Sequence, residues 1–81
     1  MPKKYKNYFP AYSINRAPDT NRMKEENVTM WNIISTVFEG AIEPLHYLDL
    51  IDELMTNEFS EECSKSFIIH CNNLGWLYEV D

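Results

Sequence analysis

VTMWNIISTVFEGAI, residues 28–42, decides the fold, because its β-branched residues suit a strand while its length suits a helix. Periodicity separates the two. At about 100° per residue, Thr29, Asn32, Ser35, Thr36 and Glu39 fall within one third of a helical circumference, and Met30, Trp31, Ile33, Ile34, Val37 and Phe38 cover the other side. Only Val28 disagrees, at the start. The spacing therefore predicts an amphipathic helix. Asn27 or an upstream residue such as Asp19 or Thr20 can cap it, Glu25 and Glu26 suit an early turn, and Gly40 is placed to end it.

Moving toward the C-terminus, Pro44 suits a first helical turn, and PLHYLDLIDELM gives a second amphipathic helix. Tyr47, Leu48, Leu50, Ile51, Leu54 and Met55 form its apolar side. His46, Asp49, Asp52, Glu53 and Thr56 form the other, with Leu45 out of place. A loop around Asn57 to Phe59 leads to Ser60, an N-cap followed by Glu61 and Glu62, where the helix dipole favours acids. The third helix runs to about Asn73, with Cys63, Phe67, Cys71 and Leu74 facing inward and Gly75 stopping it. The ending WLYEV is β-prone and offers a short terminal strand.

Toward the N-terminus, residues 1–22 carry Pro2, Pro10 and Pro18 among scattered Asn and Ser, which suits an extended arm. That arm is a natural pairing partner for the terminal strand. Tyr5, Tyr8, Phe9 and Tyr12 are too many aromatics for a solvated tail, so the arm is expected to lie against apolar surface, its own domain's or a neighbour's. The fold expectation is mainly α: a small three-helix domain over residues 23–81, an extended basic and aromatic arm over 1–22, and a short extended C-terminus. Eighty-one residues bury a small core, so stability is modest or shared.

Charge divides along the chain. Up to Lys24 there are six basic residues against Asp19 alone, a net of +5; beyond it, twelve acids stand against Lys65 alone, a net of −11, which gives the chain its −6. Such asymmetry points to interaction, or to an arm that neutralises its own acidic body. With two cysteines, no charged leader before an apolar run, and no apolar stretch near the roughly 18 residues of a membrane span, the expected compartment is the cytoplasm, that of a host if the protein is viral.

Catalytic and metal chemistry find little footing. Cys63 and His70 share a helix face but lie about 10 Å apart at a rise of roughly 1.5 Å per residue, too far to chelate one zinc ion, and His70 and Cys71 point about 100° apart. Glu43 and His46 match the Glu-x-x-His spacing of helical di-iron sites, which need two such motifs and two further carboxylates. A nucleophilic cysteine needs an electropositive setting, and both cysteines sit in an acidic, apolar one. Gly40 and Gly75 form no phosphate loop. No enzymatic activity, metal or cofactor is expected.

The acidic side of the second helix is the more informative surface. His46, Asp49, Asp52 and Glu53 cluster there, and Glu43, Glu58, Glu61 and Glu62 extend the charge. Acids three or four apart on a helix lie roughly 5 to 6 Å from each other, comparable with phosphates along a nucleic-acid strand. The plain alternative is a solvated face that keeps a small apolar protein soluble. In the arm, lysines and tyrosines could hold single-stranded nucleic acid, but the acidic body repels it, and the third helix offers only Lys65 to a phosphate backbone.

The expected function is a non-enzymatic protein-binding inhibitor whose acidic face engages a basic, nucleic-acid-handling or defence protein, of the type that phages encode. The alternative is a homo-oligomeric structural or adaptor protein, at simplest a homodimer, with Tyr5, Tyr8, Phe9 and Tyr12 docked on a neighbouring subunit. Direct nucleic-acid binding ranks last, and no membrane association is expected.

Overall fold

The computed structural model describes residues 10–42 and 44–80. Three helices pack against a small antiparallel sheet. In chain order the elements are β1 (Ala11–Ile14), a 3-10 turn (Thr20–Arg22), α1 (Glu25–Glu39), β2 (Leu45–His46), α2 (Tyr47–Thr56), α3 (Glu61–Asn73) and β3 (Leu77–Val80).

The sheet has the order β2-β1-β3. The stretch read as extended supplies its middle strand: Ala11 pairs with Val80 and Ile14 with Leu77 on one side, and Ala11 with His46 and Tyr12 with Leu45 on the other. The terminal strand thus finds its partner in the arm, and the mainly helical expectation gains a three-stranded sheet. The first nine residues of the arm, including Tyr5, Tyr8 and Phe9, lie outside the described residues.

The middle strand also resets the start of the second helix. Leu45 and His46, expected inside a helix opened by Pro44, pair with β1 instead, and Tyr47 N–H donates to the Pro10 carbonyl at 2.9 Å. Strand pairing thus overrides the local preference of proline for a first helical turn. The helix begins at Tyr47, capped by His46, whose Nδ1 accepts from Leu48 N–H at 3.1 Å. Accepting that bond requires an unprotonated Nδ1.

In α1 the expected side-chain cap is absent. Lys24 occupies the N-cap without a side-chain bond, while Asp19 caps the preceding 3-10 turn by accepting from Asn21 N–H at 3.1 Å. Gly40 closes α1, its N–H directed at the Thr36 and Val37 carbonyls. Ser60 caps α3 as expected, accepting from Cys63 N–H at 3.1 Å, and Gly75 ends it at φ +80°, a conformation that costs other residues a Cβ clash.

All three helices and two strands contribute to one core. Met30, Trp31, Ile34 and Phe38 come from α1, Tyr47, Leu50, Ile51 and Leu54 from α2, Phe67, Ile68 and Cys71 from α3, and Tyr12 and Leu77 from the sheet. Ile33, Leu48 and Cys63 are only partly buried, and Met55 and Leu74 are exposed. Relative to the expected inward face of α3, the buried one is turned by about 50°, replacing Cys63 and Leu74 with Ser64 and Ile68. Ser64 is fully buried, and its hydroxyl donates to the Ser60 carbonyl at 2.8 Å. A small, satisfied side chain there lets Ile68 enter the core without leaving a polar group unpaired.

Candidate functional site

The expected acidic surface is resolved by the structure into four settings. On α2, Asp49 and Asp52 are exposed and border an open hollow of about 340 Å³ together with His46 and Leu48. Asp49 stands in the first turn, where the helix dipole favours it, and Asp52 one turn further, beyond most of that effect. Glu53 is half-buried and faces elsewhere, lining a second hollow with Thr29, Asn32, Ile33, Thr36 and Val37 of α1. Helical spacing brought Glu53 to the same side as the two aspartates, and the approach of α1 turns it into an interhelical groove.

Glu61 and Glu62 occupy the first turn of α3. Glu61 accepts from Lys65 at 2.9 Å, and that hydrogen bond and charge lower its pKa and raise the lysine's. Glu58 lies in the α2–α3 connection at φ +73°, a left-handed backbone uncommon for a non-glycine residue. Glu43 lies outside the described residues. Among the described residues the Lys65–Glu61 contact is the one ion pair, so Asp49 and Asp52 carry their charge without a cation from these elements.

Of the four arm aromatics, the structure describes Tyr12, and it is a core residue. It is 3% exposed, with its ring 6.4 Å from that of Tyr47. Burial, with smaller contributions from Glu79 and Tyr47, pushes its phenol up to about 12. Its apolar surface is covered by its own chain.

The cysteines are held as thiols. Burial pushes Cys71 up to about 12. Cys63 is raised by burial and then by Glu26, to whose carboxylate its thiol donates at 3.7 Å. A thiolate nucleophile needs the opposite shift. Cys63 and His70 do border one shallow hollow, with Asn27, Met30, Ser66 and Phe67, yet no three His, Cys, Asp or Glu side chains among the described residues converge on a metal-sized point.

One concavity was not legible in the pattern. Met23, Leu74 and Trp76 form its apolar surface, Arg22, Lys24 and Asp19 its charged edge, and Asn27 and His70 complete it, enclosing about 540 Å³. In the sequence Arg22 and Lys24 read as arm charge, Leu74 as core and Trp76 as strand. The 3-10 turn brings the first two beside the last two. Trp76 is fixed there by edge contacts with Trp31 at 5.9 Å and His70 at 5.6 Å.

Comparison with family models, with curated proteins and with solved structures finds no match to this chain. Among the described residues no helix is long and apolar enough to cross a membrane.

Proposed function

We propose that the protein is a non-enzymatic protein-binding inhibitor that presents the outer face of α2 to a basic surface on a nucleic-acid-handling partner. The observation that carries this reading is the pair Asp49 and Asp52, exposed side by side on a capped helix whose inner side is locked into the core by Leu50, Ile51 and Leu54. A rigid helix holds the two carboxylates in fixed register, and clustered charge of one sign accelerates encounter with an opposite patch. Glu53, and Glu58, Glu61 and Glu62 in the neighbouring turns, extend the field without sharing that register, and Lys65 partly offsets Glu61.

The test compares the wild-type chain with Asp49→Asn/Asp52→Asn as bait in a pull-down from lysate, with and without nuclease, at low and high salt. The expected result is a partner that survives nuclease, is released by salt, and is lost from the variant while its circular dichroism stays unchanged. Equal capture by both baits would remove the acidic face from the mechanism, and capture abolished by nuclease would redirect attention to nucleic acid.

A further inference from the structure

The hollow around Trp76 combines two properties that seldom occur together on this molecule: apolar surface and positive charge. Leu74 is 42% exposed there, beside the partly buried Met23 and Trp76. Arg22 and Lys24 stand at the edge, and the Arg16 guanidinium donates to the Leu74 carbonyl at 3.3 Å. Two of the four basic residues among the described ones therefore line a single concavity, a third, Arg16, is bonded to its Leu74, and Asp19 is the opposing acid. A fitting occupant carries negative charge on an apolar framework.

The same chain displays such an object. Leu48, Asp52 and Met55 follow one another at i, i+4 and i+7 along the outer side of α2, with Asp49 beside them; Met55 is 42% exposed and Leu48 half-buried. This is an amphipathic acidic helix face, the element that enters hydrophobic grooves in helix-mediated recognition. The residues of α2 and those of the hollow form two separate sets, so one copy can offer its helix while its own hollow receives another.

We propose that this protein self-associates head to tail, α2 of one copy seated in the Trp76 hollow of a second, with Leu48 and Met55 on Met23, Leu74 and Trp76 and the aspartates toward Arg22 and Lys24. The contact is heterologous, so a partner-free hollow and a partner-free helix remain at the two ends, and the assembly extends or closes into a ring. Each copy carries −6 overall, which opposes approach. At physiological ionic strength, however, repulsion beyond about 8 Å is screened, and the apposed patches interact inside that distance. The inference does not depend on the proposed inhibitor activity, because it concerns what α2 does with a second copy.

The decisive experiment is complementation, read as weight-average mass by sedimentation equilibrium on the full chain over a dilution series. Wild type should rise above the 9.6 kDa monomer as concentration increases and return to it in high salt. Arg22→Glu/Lys24→Glu and Asp49→Lys/Asp52→Lys should each remain monomeric, and an equal mixture of the two should again rise above the monomer mass. The mixture pairs an intact hollow with an intact helix, and the reversed helix with the reversed hollow, so each variant supplies what the other lacks. A wild type that stays monomeric at every concentration overturns the proposal, as does either variant associating like wild type or a mixture that forms no dimer. Should a charge reversal fail to give a helical circular dichroism spectrum, Arg22→Gln/Lys24→Gln and Asp49→Asn/Asp52→Asn take its place with the same expected outcomes, attenuated in degree.

Discussion

In α3 the acids Glu61 and Glu62 follow the Ser60 cap in the first turn, and Glu61 is held by Lys65; in α2, Asp52 and Glu53 lie past the first turn, and among the described residues no cation pairs with them. Helix-start chemistry accounts for the first pair, since the dipole favours negative charge there. It does not account for the second. Acidic residues that look alike in composition therefore differ in what they do: those of α3 help to form their helix, whereas those of α2 are carried by a helix that other residues hold in place.

The largest effect that can break this comparison lies on the inner side of α2. Leu54 is fully buried, and Leu54→Ala should cost about 2–5 kcal/mol in urea-induced unfolding. A loss under about 1 kcal/mol would mean that α2 is not anchored by its core side.

A pH titration probes the buried groups next. Tyr12 and Cys71 both have folded-state pKa values raised to about 12 by burial. Their unfolded counterparts ionise at about 10 and 8.5, so above those values the unfolded chain releases protons that the folded chain retains, and stability falls as pH rises. Thermal midpoints should hold steady up to about pH 8.5 and decline from there toward pH 12. Tyr12→Phe should lose only the share of the decline that belongs to Tyr12 and keep those of Cys71, Cys63 and Lys65; an unaltered slope would show that the Tyr12 phenol is not desolvated.

Smaller still is the cap. Ser60→Ala removes the acceptor for Cys63 N–H and should cost about 1 kcal/mol, measured by the same unfolding experiment. At the bottom of the scale, Glu61→Gln removes a first-turn charge and an exposed ion pair and should lower the thermal midpoint slightly, by less than Ser60→Ala does. It should also leave partner capture intact while Asp52→Asn reduces it. Equal loss from both would erase the distinction between the two helices.

The three helices were legible because α1 and α2 bury a broad stripe at the helical period, and Ser60 and Gly75 mark the limits of α3. The start of α2 was not, because a strand far away in sequence claims Leu45 and His46. The rotation of α3 was hidden for a similar reason: Ser64 reads as polar surface, and only the tertiary packing shows that its hydroxyl is satisfied by its own helix. As for the site, helical periodicity correctly grouped Asp49 with Asp52, but could not show α1 drawing Glu53 into a groove. The Trp76 hollow joins residues from opposite ends of the chain, and neither end carries a periodic signal for it.

The pairing of Ala11 with Val80 and Ile14 with Leu77 has a kinetic consequence. Closing a loop that spans nearly the whole domain returns nothing until its ends meet, whereas each helix gains its bonds locally. The strand made first during synthesis must therefore wait for β3, and until then Tyr12 has no place in a finished core. A nascent or partly unfolded chain would keep its helices while the unpaired edge of β1 is open to any extended segment nearby, so the interval before the ends join is when this protein is most exposed to mispairing.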